Sequence, residues 1–139
     1  MCIIINVVDK LTPFLRESHY KKRNYTWIKE TSQIAILFAI HKSQFGDSKW
    51  HYLFGIGIKD LSAKNITSIS SCHIHYQIEN MIDQKEVTVE ILIELIKKWE
   101  AMYGSIEKLR LYALNGKLPP LTSKETITYL TSVDLSAYL

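Results

Sequence analysis

The stretch from Gln33 to Lys59 reads as two antiparallel strands joined by a polar loop. Drawn as a strand, Gln33–Lys42 puts Ile34, Ile36, Phe38 and Ile40 on one side and Ala35, Leu37, Ala39 and His41 on the other. Trp50–Lys59 repeats the pattern, with Trp50, Tyr52, Phe54, Ile56 and Ile58 opposed to His51, Leu53, Gly55, Gly57 and Lys59. Ser43–Lys49 joins the two with turn-forming residues and a length suited to a hairpin connection. In an antiparallel pair the numbers of facing residues add to a constant, and an odd constant would send the two apolar rows to opposite faces, so the constant is even. A total of 92 pairs Phe38 with Phe54, Ile36 with Ile56, Ile40 with Tyr52 and His41 with His51; totals of 90 and 94 meet the same requirement. Each apolar pair adds about 0.2–1 kcal/mol beyond its burial.

The flanking segments supply further elements. Ile4, Val7 or Val8, Leu11, and Phe14 or Leu15 recur at helical spacing, which predicts an amphipathic helix over Ile3–His19, kinked at Pro13. The alternative makes Thr12 an N-cap, Pro13 the first helical residue and Ile3–Val8 a β-branched strand. After a loop at Lys21-Lys22-Arg23, Tyr25–Glu30 reads as the first strand of a meander, with either face available for burial. Asp60–Ser71 is polar and serine-rich and is expected to wrap an edge, leading to a strand at Ser71–Ile78. In that strand Cys72, Ile74, Tyr76 and Ile78 form one row, and His73, His75 and Gln77 face away from it. Glu79–Glu86 is a charged loop.

From Thr88 the period becomes helical. Val89, Leu92, Ile93, Ile96, Trp99, Met102 and Tyr103 make a broad stripe, with Glu90 in the first turn and Gly104 as the stop. Ser105 caps a second helix carrying Ile106, Leu109 and Ala113 and ending at Asn115-Gly116. Thr122 and Glu125 match a capping box for a short third helix with Ile127 and Leu130, and Val133–Leu139 is apolar enough to dock. The sum is one α+β domain over residues 1–139: an antiparallel meander of about four strands, near 25–30, 33–42, 50–60 and 72–78, packed with an N-terminal helix and C-terminal helices. Helices 3–19 and 88–103 are expected to cover one face.

At 139 residues and 47% hydrophobic the chain can bury a core without metal or disulfide staples. Cys2 and Cys72 have neither zinc-site spacing nor the density of a secreted scaffold, so both are expected to be reduced. Met1–Val8 has no basic leader region and Ile34–Ile40 is far too short to span a bilayer, which makes a cytoplasmic location the expectation. The net charge of +3 is uneven: residues 1–50 hold eight Lys and Arg against four Asp and Glu, and the remainder nine against ten. Lys21, Lys22 and Arg23 are its densest point, a cluster that can touch phosphate but is more commonly solvated.

Histidine is the one candidate catalytic type that clusters. His41 and His51 face each other in the favoured register, and His73 and His75 share a face, so four imidazoles can be imagined around one metal ion. Exposed strand positions also take polar residues for solubility, and no carboxylate at a recognisable offset completes a ligand set. No metal site is therefore expected. Cys72 lies on an apolar row, Ser70-Ser71 has no Gly-x-Ser-x-Gly elbow, and Gly55-x-Gly57 sits inside a strand, where glycines leave room for a helix or a bulky side chain. Trp99 and Tyr103, one helical turn apart, read as core. No catalytic residue and no cofactor site is predicted.

The order of pieces carries a resemblance: an N-terminal helix, His19-Tyr20-Lys21-Lys22-Arg23, Tyr25-Thr26-Trp27, a strand ending His41-Lys42-Ser43, then Phe54-Gly55-Ile56-Gly57-Ile58. Over residues 5–115 this resembles the bacterial family known as domain of unknown function 4304. Three positions depart from its pattern: His41 replaces a usual Gln, His19 a usual Gly, and Gln77 an Arg. The resemblance implies helices over an antiparallel sheet, no established catalysis, and an association in some genomes with toxin and immunity loci. The expected function is then a cytoplasmic immunity protein that binds and blocks a cognate toxin. Lys21, Lys22, Arg23, His41, His51, His73 and His75 are the candidate partner-binding residues; the alternative is a nucleic-acid-binding or processing protein using the basic N-terminal third.

Overall fold

The hairpin sits at the centre of a five-stranded antiparallel sheet whose strands follow chain order: β1 (Lys21–Arg23), β2 (Thr26–Glu30), β3 (Ile34–Lys42), β4 (Trp50–Ile58) and β5 (Ile74–Gln77). The computed structural model describes residues 3–42, 50–62, 65–77, 88–119 and 122–132. Helices α1 (Ile3–Glu17), α2 (Val89–Tyr103), α3 (Ile106–Leu114) and α4 (Lys124–Thr131) complete the α+β fold. β3 and β4 pair in the register that sets Phe38 against Phe54, Ile36 against Ile56, Ile40 against Tyr52 and His41 against His51. Cys2, the connection Ser43–Lys49, the charged loop at Glu79–Glu86 and the tail Val133–Leu139 lie outside the described residues.

The first face of the sheet carries Trp27, Ile34, Ile36, Phe38, Ile40, Phe54, Ile56 and Ile74, all buried. α1 covers it with Val7, Val8, Leu11 and Leu15, and α2 with Leu92, Ile96, Trp99 and Tyr103. α1 is one helix from Ile3 onward, with Pro13 on its exposed side, where the missing amide leaves the Asp9 carbonyl without its usual donor. Thr88, Ser105 and Ser123 cap the other three helices by accepting from the amides of Ile91, Lys108 and Thr126. The cap of α4 is thus Ser123, not Thr122. The hydroxyl of Thr122 instead donates to the Pro119 carbonyl at 2.8 Å, and Ile127 is exposed while Thr126 and Leu130 are buried.

The second face differs from the expected one. Asp60–Ser71 does not merely wrap an edge: Ile66, Ile69 and Cys72 lie on Ala35, Leu37 and Ala39 and form a second apolar cluster, so β3 is buried on both sides. Small residues make this possible. A Cβ added at Gly57 would come within 2.6 Å of Ile66 Cγ2, and one at Gly55 within 2.8 Å of Cys72 Sγ, so the glycines give up side chains where the covering segment presses on the sheet. Cys72 therefore packs on the side opposite Ile74, because the chain bends at His73 and β5 starts only at Ile74. The imidazole of His73 closes this corner, its Nδ1 accepting from the Ile58 amide at 2.9 Å.

Lys21–Arg23 is a strand, not a loop. α1 ends in a reversal in which His19 adopts φ 71° and the Tyr20 amide bonds the Leu15 carbonyl at 2.9 Å, and the next three residues pair with β2. Asn24, with φ 55°, begins the tight turn between the two strands.

Candidate functional site

Register decides which predicted residues meet. In an antiparallel ladder, facing residues point to the same side, so one rung of the second face runs Arg23, Thr26, Ala39, Leu53, Gln77 and the next runs Lys21, Ile28, Leu37, Gly55, His75. His41 and His51 face each other one rung beyond Ala39 and Leu53. The covering segment lies on Ala35, Leu37 and Ala39, and His41 beyond them is exposed. The result is a sheet face half roofed by apolar residues and half presenting Arg23, Thr26, His41, His51 and Gln77.

Individual environments separate the candidates further. His41 and His75 are exposed, and His51 is half-buried with Nδ1 3.0 Å from the Gln77 side-chain nitrogen. His73 does not join them on this face, since its Nδ1 is committed to the Ile58 amide and its neutral form carries the proton on Nε2. Lys22 stands apart too. It faces Trp27 on the opposite side of the sheet, with its ammonium 5.7 Å from the Trp27 ring and 5.9 Å from that of Tyr25. Of the seven candidates, Lys21, Arg23, His41, His51 and His75 share one face.

Beside the basic edge this face opens into a groove of about 590 Å³ bordered by His19, Lys21, Arg23, Glu30, Asn65 and Thr67, and Lys22, although its ammonium lies over Trp27, borders it as well. Its lining is mixed: cations on β1, one carboxylate on β2, and amide and hydroxyl groups on the covering segment. Such a surface can hold a polar partner. Among the described residues, no three His, Cys, Asp or Glu side chains are placed to hold a metal ion. Burial pushes the Cys72 thiol up to about 12, which keeps it protonated and a poor nucleophile at neutral pH.

A separate polar cluster ties the first face together. The Tyr20 hydroxyl donates to Glu100 Oε2 at 3.4 Å, and the Lys29 ammonium pairs with Glu100 Oε1 while lying 5.8 Å from the Tyr20 ring. Burial, and then the charge and hydrogen bond of Glu100, push the Tyr20 hydroxyl well above the usual phenol range. This link is a clamp between α2 and the β1–β2 end of the sheet.

Thr26, Gln77 and the groove wall at Asn65–Thr67 did not stand out in the sequence. The period-two pattern through Tyr25–Glu30 and Ser71–Ile78 contained the signal for Thr26 and Gln77, but only the register places them level with Arg23. Among the described residues, no helix is long and apolar enough to cross a membrane. Residues 11–111 match the model of a family described as Domain of unknown function (DUF4304). Nothing matches among curated proteins or among solved structures. The match takes in α1 from its third turn, all five strands, α2 and most of α3, and on that ground the chain belongs to the DUF4304 family.

Proposed function

We propose that this chain is a cytoplasmic binding protein that neutralises a cognate toxin by laying the second face of its sheet, with the β1 edge, against it. The observation that carries this reading is the convergence of Lys21, Arg23, His41, His51 and His75 on one face, where all of them but the half-buried His51 are exposed. Strands about 4.8 Å apart hold those side chains on a rigid backbone, so little ordering entropy opposes association. A stable complex needs about 800 Å² from each partner. The toxin as partner comes from the association of related domains with toxin and immunity loci, and the charge narrows its kind. A chain of net charge +3 complements an acidic or neutral target better than a strongly basic nuclease.

The test is co-expression with the toxic domain encoded next to this chain, read as rescue of growth and a co-purifying complex. Lys21→Glu with Arg23→Glu is expected to weaken the complex by about tenfold or more, whereas Lys97→Glu, exposed on α2 over the first face, changes it by less than about threefold. The converse ranking would place the interface elsewhere. No rescue, together with salt-dependent binding to DNA or RNA that disappears when Lys21, Lys22 and Arg23 are neutralised, would replace this reading with nucleic-acid binding through the same groove.

A further inference from the structure

On the opposite side of the sheet a cleft of about 220 Å³ opens between β4–β5, the C-terminal half of α2 and the segment Lys117–Pro119. Its floor is Phe54, Ile56 and Ile74, each buried, and Trp99 stands at its side with its ring 4.8 Å from Phe54 and 5.2 Å from Tyr76. Protein interiors seldom leave such volume unfilled. A dry apolar cavity of about 150 Å³ admits benzene, and drug-sized ligands need about 300 Å³ or more, so this cleft suits one ring or an acyl chain of about eight carbons.

The lining carries two charged side chains. Lys98 on α2 and Lys117 on the segment after α3 both border the cleft, both are exposed, and neither has a carboxylate partner among the described residues. Lys117 is held there by backbone geometry: Gly116, at φ 64°, turns the chain, and the Lys117 amide bonds the Tyr112 carbonyl at 2.8 Å. Two cations on separate elements thus flank the opening of an apolar recess.

We propose that this cleft binds a small amphipathic carboxylate, with the acyl or aryl body against Trp99 and the carboxylate between Lys98 and Lys117. The site is independent of the partner-binding reading, because its residues lie on the first face and the candidate interface on the second. Burial of the apolar body gives the affinity, and the two ammonium groups select the anion over neutral or cationic analogues. For a ligand of about ten heavy atoms a Kd of about 0.1–1 mM is expected.

The experiment titrates the full chain with octanoate, 1-octanol and octylammonium, followed by calorimetry and by tryptophan fluorescence. One saturable site for octanoate is expected, with octanol weaker by about tenfold and octylammonium weaker still. Lys98→Gln with Lys117→Gln should lower octanoate affinity to that of octanol, and Met102→Trp, which narrows the cleft, should abolish binding of all three while circular dichroism stays unchanged. No saturation by about 10 mM, equal binding of octanoate and octanol to the unaltered protein, or octanoate affinity indifferent to loss of both lysines would each overturn the proposal. So would loss of toxin rescue in Met102→Trp without any octanoate binding to the unaltered protein, since the cleft would then belong to a protein interface.

Discussion

Gly57→Ala probes the least expected feature of the fold, the segment 65–72 pressed onto the second sheet face. The added methyl would lie 2.6 Å from Ile66 Cγ2 and 3.0 Å from Cγ1, so the β-branched stem of Ile66 must move, along with the backbone that carries it. Overpacking of this kind costs about 1–3 kcal/mol, and the stiffer unfolded chain returns about 0.4–1 kcal/mol, leaving a net loss of about 0–2.6 kcal/mol. Ile66→Ala alone should lose about 2–5 kcal/mol, because Ile66 is 4% exposed and its removal opens a cavity. Combined, the new methyl occupies space that Ile66 vacated. The double variant should then be more stable than the two losses added together predict, by about 1–3 kcal/mol. Urea melts with unchanged m-values measure all three. Additivity within about 0.5 kcal/mol would refute the contact and with it the placement of the covering segment.

Three further outcomes are expected. Phe38→Ala, at 0% exposure with its ring 5.8 Å from that of Trp27, should cost about 3–5 kcal/mol in a denaturant melt, and a loss under about 1 kcal/mol would contradict the first-face assignment. His19→Gly should stabilise the protein by about 0.5–1 kcal/mol, because φ 71° is strained for any side chain and free for glycine; a lower melting temperature would show that the histidine makes a compensating contact. Cys72, held protonated up to about 12, should make stability pH-dependent. The unfolded thiol ionises first, near 8.5, so the contribution is intact below that pH and is lost as pH rises through about 12, by at most about 1.4 kcal/mol per pH unit. Melts in reductant from pH 8 to 10 should fall more steeply for the parent protein than for Cys72→Ala, the tyrosines contributing equally to both.

The central hairpin was legible because burial enforces period two on both its faces, and an even pairing constant followed from that alone. The C-terminal helices were legible from their stripes and serine caps. β1 was not, since three exposed basic residues show no alternation; what makes them a strand is the left-handed turn at Asn24 and a partner strand to pair with. The cue was Asn24 itself. Counting by twos from Ile74 puts Cys72 on the wrong side because it ignores the short 3-10 turn at Ile69–Ser71, which Ser68 and Ser71 cap reciprocally. The serine run encoded that turn. His19 also becomes intelligible, for the family's usual glycine suits the left-handed residue that ends α1. The candidate site was the least readable part, since no local pattern states that Arg23 and Gln77 share a rung: that depends on four successive registers.

The shortness and charge of β1 bear on how copies of this protein behave when crowded. Among the described residues β1 pairs only with β2, so its outer backbone groups offer a ladder that a second molecule's strand could extend. Two such edges brought together would oppose Lys21, Lys22 and Arg23 with their counterparts from the other copy, in a strand of three residues that returns few hydrogen bonds for the repulsion. The same cations proposed to meet a partner therefore oppose polymerisation of the sheet through its own edge. That protection weakens as added salt shortens the screening length to about 3 Å at 1 M, so self-association should appear first in concentrated brine.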